Sequence, residues 1–155
     1  IRDLIVTGVQ TCALPIYSFG GATSLEVCRV DERCRAAVDL DGGVDAAAAA
    51  GPRPLLLLTA TTSNDNPVAI ANWSRLLATA TAPASWLELP ASNHLSFTIL
   101  PLLTPLLVPP GADARAHLRT VERYLRAFFD LHLRGIATTL LESGSGDPEI
   151  IWHSR

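Results

Sequence analysis

The feature that most constrains the fold is a short, continuous apolar stretch near the middle of the chain. Residues 54–60 read Pro-Leu-Leu-Leu-Leu-Thr-Ala, and turn-forming residues flank them on both sides. A strand with one solvated face alternates between polar and apolar residues, whereas a strand covered on both faces is continuously apolar. Such strands are typical of parallel sheets that have helices on either side. Residues 36–40 and 85–89 predict two further short strands.

Helical periodicity appears between and after these strands. It predicts helices over residues 22–30, 69–80 and 114–133. The last of them has the clearest boundaries, because Asp113 is a favourable N-cap residue and Gly135 is a favourable stop. Strands that alternate with helices predict an α/β fold with a parallel sheet built from right-handed crossovers.

Composition excludes several classes of function. Of the 155 residues, 48% are hydrophobic and the mean hydropathy is +0.27, which describes a chain that buries a core. The formal net charge of −3 gives no basic footprint, so we predict no nucleic-acid partner. The apolar run at residues 99–108 contains two prolines and is too short for a transmembrane segment. Nothing in the sequence indicates a protein partner.

The cysteines and acidic residues do not form a metal-binding pattern. Cys28 and Cys34 have no metal-ligand spacing with a histidine, so they are either two free thiols or one disulfide. The Asp-rich stretch at residues 39–45 lacks the spacing and the closing Glu of a calcium-binding EF-hand loop. We therefore predict neither a metal nor an organic cofactor.

A serine-centred turn precedes the first predicted helix. Residues 16–21 read Ile-Tyr-Ser-Phe-Gly-Gly. Serine nucleophiles on a strand–turn–helix follow the pattern G-x-S-x-G, in which small residues let the helix fold back closely on the strand. Gly20 and Gly21 fit this pattern after Ser18, but Ile16 stands where the first glycine is expected. Taken alone, the motif also fits an ordinary Gly-rich helix N-terminus.

Two further candidates follow predicted strands. Asp41 comes after the strand at residues 36–40, and His94 comes after the strand that ends at residue 89. Catalytic groups in open α/β sheets collect at the carboxyl ends of the strands, and the order Ser18, Asp41, His94 is the one found in α/β-hydrolases.

Each of these two candidates has a plain alternative. Asp41 could simply begin a turn, and His94 could be an ordinary loop histidine. Asp39 and Asp45 are rival acids, although Asp39 is placed within the strand and Asp45 beyond the turn. The remaining histidines are predicted to be solvated: His117, His132 and His153.

Residues 18–135 resemble the C-terminal half of the platelet-activating factor acetylhydrolase-like α/β-hydrolases. The resemblance lies in SFGGAT at 18–23, VDLDGG at 38–43, PLLLLTA at 54–60, NHLSFT at 93–98 and YLRAFFDLHLRG at 124–135. The family pattern begins Gly-His-Ser, so Ile16 and Tyr17 depart from it. The family also often has Asp where Ile99 stands.

This resemblance implies a partial α/β-hydrolase fold whose N-terminal strands are missing. It also implies a serine carboxylester hydrolase that acts on short-chain acyl esters, including acetyl groups on phospholipids. Ser18 would attack the ester carbonyl, His94 would carry the proton, Asp41 would orient His94, and the Phe19 N–H would be one oxyanion donor.

Two alternatives to this interpretation remain. Among enzymes, the alternative is a lipase, a cutinase or a dienelactone-type hydrolase. An alternative of another class is an inactive truncated fragment with no catalytic function. The second oxyanion donor of such enzymes comes from an earlier strand–helix loop, so we expect the chain as written to be a poor esterase.

Residues 1–16 have a separate explanation. Val6–Ile16 can be back-translated into a sequence that resembles a widely used short-read sequencing adapter, and residues 1–5 fit its upstream end and variable index. We therefore interpret residues 1–16 as a non-native adapter-like segment, 17–141 as the C-terminal half of an α/β-hydrolase domain, and 142–155 as a polar tail. A native strand that happens to match is the alternative. On the adapter interpretation, Pro15 makes the segment a poor central strand, and Ile16 holds the strand and helix apart.

The adapter interpretation makes a prediction about the nucleotide sequence. The raw coding sequence should contain the adapter verbatim up to the codon for Tyr17, because the match extends over every codon before it. Sequencing of independently amplified genomic DNA tests this. Different synonymous codons throughout residues 1–16 in that DNA would contradict the adapter origin.

Overall fold

In a computed structural model, which describes residues 12–142 and 146–153, the chain folds into a five-stranded sheet with helices on both faces. The strands are β1 (Cys12–Tyr17), β2 (Cys34–Leu40), β3 (Leu55–Ala60), β4 (Ala84–Leu89) and β5 (Ile151–His153). The helices are α1 (Phe19–Val30), α2 (Pro67–Ala78), α3 (Leu100–Leu103) and α4 (Ala114–Arg134). Short 3₁₀ turns lie at Thr61–Ser63, His94–Phe97 and Pro105–Leu107.

The strands follow one another across the sheet in the order β1-β2-β3-β4-β5. The first four are parallel, and β5 is antiparallel to β4. The parallel α/β sheet predicted from the sequence is therefore confirmed. Since parallel strands all point the same way, the segments that follow β1, β2, β3 and β4 leave the sheet at one edge.

The apolar character of β3 comes from burial on both faces. Leu56 and Leu58 belong to a core cluster on the side of α4, whereas Leu55 and Leu57 belong to a second cluster on the side of α1 and α2. All four side chains are buried. Both faces of this part of the strand are covered by apolar side chains, which explains why the sequence does not alternate.

Helix α4 covers one face of the sheet and begins and ends as the sequence predicts. The Asp113 side chain accepts the N–H groups of Arg115 and Ala116, and Gly135 ends the helix with a φ of 68°. Only glycine adopts this left-handed conformation at low cost. The helix contributes buried residues to the core cluster on its side of the sheet: Val121, Tyr124 and Phe128.

The C-terminal segment differs from the polar tail predicted for residues 142–155. Of this range the structure describes 142 and 146–153, and Ile151–His153 forms β5 against β4. Ile150 is buried in the core cluster on the α4 side, and Trp152 packs against that cluster. These contacts join residues that are far apart in the sequence. They explain why residues 151–153 form a strand that the local sequence pattern does not predict.

Strand β1 takes in the last part of the adapter-like segment. Residues 1–11 of that segment lie outside the described residues. Cys12–Tyr17 pairs in parallel with β2, and Pro15 is opposite Val38. Within the described chain β1 is the outermost strand on its side, and an outer strand is where a proline costs least.

Cys28 on α1 and Cys34 on β2, which the sequence left open as two free thiols or one disulfide, form a disulfide. The crosslink joins the end of the helix to the start of the next strand. In the part of the chain that the structure describes, no helix combines the length and apolar character needed to cross a membrane.

Candidate active site

Ser18 lies between β1 and α1 in a strained backbone conformation. Its φ is 59° and its ψ is −134°, values that side-chain-bearing residues rarely adopt. The Ser18 N–H donates to the carbonyl of Leu40 at 2.9 Å, and the Ser18 carbonyl accepts the Gly21 N–H at 2.8 Å. The turn is thus held by the end of β2 on one side and by the first turn of α1 on the other.

The glycines after Ser18 allow the close approach of helix and strand. A Cβ on Gly20 would overlap Cγ2 of Ile16, and a Cβ on Gly21 would overlap the Asp39 carboxyl. Gly20 leaves the space that the Ile16 side chain occupies, so the turn forms with Ile16 in place.

Asp41 follows β2 in a second strained conformation, with a φ of 56°. Its N–H donates to the carbonyl of Leu58 at 2.9 Å, and its Oδ1 accepts the Ala60 N–H at 2.7 Å. Its Oδ2 accepts the Ser63 hydroxyl at 2.9 Å and His94 Nδ1–H at 2.6 Å. The side chain is fully buried, so these donors replace the hydrogen bonds with water that the carboxylate loses on burial.

His94 begins the 3₁₀ turn that follows β4. The Asn93 side chain accepts the Leu95 N–H, and the Ser96 side chain accepts the Asn93 N–H, so a capping box fixes this turn. His94 Nε2 lies 2.9 Å from Ser18 Oγ. Because Asp41 Oδ2 accepts from Nδ1, that nitrogen carries the proton and Nε2 accepts the Ser18 hydroxyl.

The structure thus brings Ser18, His94 and Asp41 into one hydrogen-bonded chain. A serine hydroxyl that donates to an imidazole, which in turn donates to a buried carboxylate, can lose its proton as it attacks an electrophilic carbon. Phe19 is the first residue of α1, so its N–H is among those without a carbonyl partner inside the helix. This N–H is adjacent in sequence to the serine hydroxyl.

The rival acids lie elsewhere. Asp39 is buried on β2, and its Oδ1 accepts the Gly42 N–H at 2.7 Å, away from His94. Asp45 lies on the exposed loop after β2 and accepts the Ala47 N–H at 2.8 Å. Neither has a hydrogen bond to His94 among the described contacts.

The other histidines are less solvated than predicted. His117 is buried on α4, and burial lowers its pKa. His153 is stacked on Trp86 at a centroid distance of 4.1 Å and pairs with Glu88 at 2.9 Å. The prediction is wrong for His117 because α4 and the chain around Pro90 enclose that side chain.

Sequence reasoning missed two residues that contact the site. The Ser63 hydroxyl donates to Asp41, and the Tyr17 ring lies 4.6 Å from the His94 ring. Burial, followed by the negative charge of Asp41, raises the pKa of Tyr17. Ser63 gave no signal in the sequence because it stands in a loop of ordinary polar residues, whereas Tyr17 stood beside Ser18 in the motif.

Among solved structures, the chain is similar to a ferulic acid esterase from Streptomyces cinnamoneus, with a TM-score of 0.80 and 31% sequence identity. The match covers 99% of this chain and 53% of the esterase, so the chain spans about half the length of that protein. No protein-family description and no curated protein sequence matches the chain. The mostly parallel sheet with flanking helices is thus part of an α/β-hydrolase fold.

The contact between Ile16 and Gly20 predicts that the effect of Gly20→Ala on stability depends on the residue at position 16. Alanine is normally more stable than glycine within a helix, by roughly 0.5–1 kcal/mol. We expect Gly20→Ala to lower the free energy of unfolding when Ile16 is present, because its Cβ overlaps Ile16 Cγ2. In an Ile16→Ala background the nearest remaining side-chain atom is 3.4 Å away, and the same substitution should be stabilising. Urea unfolding of the four proteins measures this, and equal effects of Gly20→Ala in both backgrounds would contradict it.

The buried Asp39 predicts a pH dependence of stability. Burial raises its pKa to about 8; the Gly42 N–H opposes the rise and the charge of Asp41 adds to it. An acid with a raised folded-state pKa binds its proton more tightly when folded. The free energy of unfolding therefore falls as the pH rises from about 4 to about 8, by up to roughly 1.4 kcal/mol per pH unit. We expect Asp39→Asn to remove this slope in urea unfolding at pH 5 to pH 8; parallel curves for the two proteins would count against it.

Proposed function

We propose that this chain is part of a serine carboxylester hydrolase in which Ser18 is the nucleophile, His94 the general base and acid, and Asp41 the orienting carboxylate. The observation that carries the proposal is the continuous hydrogen-bonded chain from Ser18 Oγ through His94 to the buried Asp41 carboxylate. The similarity to a solved ferulic acid esterase supports the same class of reaction.

The proposed reaction has two halves. Ser18 Oγ attacks the ester carbonyl while its proton moves to His94 Nε2, and the resulting imidazolium is stabilised by Asp41. His94 then gives this proton to the leaving alcohol, and an acyl-serine remains. A water molecule attacks the acyl group with the same proton transfers, which releases the acid and restores Ser18.

The Phe19 N–H is the proposed donor to the oxyanion that forms in each half. It lies at the positive end of the α1 dipole, which favours developing negative charge. In enzymes of this fold the second donor comes from a loop after an earlier strand. In the described residues β1 is the first strand and leads directly to Ser18, so we propose that this chain alone turns over slowly.

Two substrate classes follow from different observations. The sequence motifs resemble hydrolases of short acyl esters, including acetyl groups on phospholipids. The solved structure is described as a ferulic acid esterase, which favours esters of aromatic acids as the second candidate. Apolar side chains next to the site in sequence, such as Phe19 and Ile99, are largely exposed and fit an apolar acyl group in either case.

The test compares the 155-residue chain with the same chain joined to the N-terminal half of an intact homologue. Both are assayed on nitrophenyl acetate and on nitrophenyl ferulate, which share a leaving group and differ only in the acyl group. We expect turnover that depends on Ser18 chiefly in the joined protein, because loss of one oxyanion donor typically costs about 10²–10³ in rate. The ratio of the two rates assigns the substrate class.

Matched variants in the joined protein test the roles. Ser18→Ala should abolish turnover, and Asp41→Asn should lower it by on the order of 10⁴-fold, since an amide favours the wrong imidazole tautomer. Asp45→Asn makes the same chemical change in the same segment but outside the site, and it should leave the rate unchanged. Turnover that survives Ser18→Ala would refute the proposal.

A further inference from the structure

Asp39 is a buried acid next to the candidate active site that the proposed reaction does not use. It lies two residues before Asp41 on β2, with 1% of its surface exposed. Its Oδ1 accepts the Gly42 N–H at 2.7 Å, whereas its Oδ2 is buried without a hydrogen-bond partner in the described structure. A buried polar atom without a partner is costly, so its persistence calls for a role.

The Asp39 carboxyl is in close contact with both turns of the site. A Cβ on Gly21, in the first turn of α1, would lie 2.7 Å from Asp39 Cγ and would overlap Oδ1. A Cβ on Gly42, directly after Asp41, would lie 2.9 Å from Asp39 Cγ and would overlap both Asp39 Oδ1 and the Ser18 carbonyl oxygen. The carboxyl therefore fills the space between the turn at Ser18, which we call the nucleophile turn, and the turn at Asp41, which we call the acid turn.

We propose that Asp39 is a positioning residue that sets the acid turn against the nucleophile turn through its bond to Gly42 and its volume. This inference rests on the proposed function of Ser18, His94 and Asp41. Asp41 has a φ of 56°, which a residue with a side chain does not hold without support. The bond from Gly42 N–H fixes the peptide that leaves Asp41, and so fixes the direction of the carboxylate that holds His94.

What Asp39 supplies is an acceptor oxygen and a shape, not a negative charge. Burial and the neighbouring charge of Asp41 raise its pKa to about 8, so the carboxyl is mostly neutral at pH 7. A neutral carboxyl adds no second charge beside Asp41. An amide has the same shape and the same acceptor oxygen, so asparagine should replace Asp39, whereas valine keeps much of the volume and loses the acceptor.

The experiment uses the 155-residue chain with Asp39→Asn, Asp39→Val and the control Asp45→Asn. The first readout is the low-field proton resonance of His94 Nδ1–H, which the 2.6 Å bond to Asp41 produces and which His94→Gln removes. The second readout is the rate at which a fluorophosphonate labels Ser18. In that step Ser18 Oγ bonds to phosphorus, fluoride leaves, and the serine proton passes to His94. Amide spectra establish that each variant is folded.

We expect Asp39→Asn to match the Asp45→Asn control in both readouts. Asp39→Val should lose or shift the His94 resonance and slow labelling by on the order of 10²-fold, the loss that a small misplacement of reacting groups causes. A folded Asp39→Val protein with an unchanged resonance and labelling rate would overturn the proposal. Equal losses in Asp39→Asn and Asp39→Val would also overturn it, because they would assign the effect to charge.

A second variant keeps the test decisive if Asp39→Val does not fold. Asp39→Ala removes both the acceptor oxygen for the Gly42 N–H and the volume of the carboxyl, and it adds no atom against the Ser18 carbonyl. We expect it to shift the His94 resonance, and an unshifted resonance overturns the proposal. The readouts also separate this inference from the function. If neither the unaltered chain nor the joined protein is labelled at Ser18, the proposed function fails, while the His94 resonance still reports whether Asp39 positions the acid turn.

Discussion

The carboxylate of Asp41 joins three parts of the chain that are distant in sequence. Its Oδ1 accepts the N–H of Ala60 at the end of β3, and its Oδ2 accepts the Ser63 hydroxyl and His94 Nδ1–H. A buried carboxylate with so many donors has one orientation, because any rotation leaves a donor or an oxygen without a partner. The tautomer of His94, and with it the direction of the Ser18 hydroxyl, follows from that orientation.

The parallel sheet makes this meeting point possible. The Ser18 N–H bonds to the carbonyl of Leu40 and the Asp41 N–H bonds to the carbonyl of Leu58, so each turn extends the strand ladder by one step. The two strained residues are thus anchored to neighbouring strands, and the leucine core on both faces of β3 keeps those strands in register. The strain at the turns is offset by burial in the sheet below them.

Much of this arrangement could be predicted from the sequence, for identifiable reasons. The strands β2, β3 and β4 were apparent because burial on both faces leaves continuous apolar runs, and α4 was apparent from its caps and its apolar face. The juxtaposition of Ser18, Asp41 and His94 followed from the rule that parallel strands end at one edge. These are local patterns, or consequences of topology alone.

Other features depend on contacts that no local pattern records. Strand β5 has three residues and forms because Trp152 and Ile150 pack on a core built from distant helices and strands. The burial of His117 comes from the chain around Pro90, and the role of Ser63 comes from its distance to Asp41. Asp39, Asp41 and Asp45 are likewise three aspartates of one short segment. Only the three-dimensional structure shows which of them is bonded to His94, which is buried beside the site and which lies on the exposed loop.

The turn at Ser18 shows that a departure from a sequence pattern need not be a departure from its geometry. The pattern places a glycine before the serine so that strand and helix can approach, and here Gly20 provides that space on the helix side, against Ile16. A side chain in one position can be accommodated by the absence of a side chain in another. An oxyanion donor is different, because a missing backbone N–H has no substitute in a neighbouring side chain unless one points at the same place. The completeness of the hydrogen-bonded chain and the capacity to stabilise a transition state are therefore separate properties. The hydrogen-bonded chain depends on the carboxyl ends of β2, β3 and β4. Stabilisation of the transition state depends on the groups that face Ser18 from the opposite side.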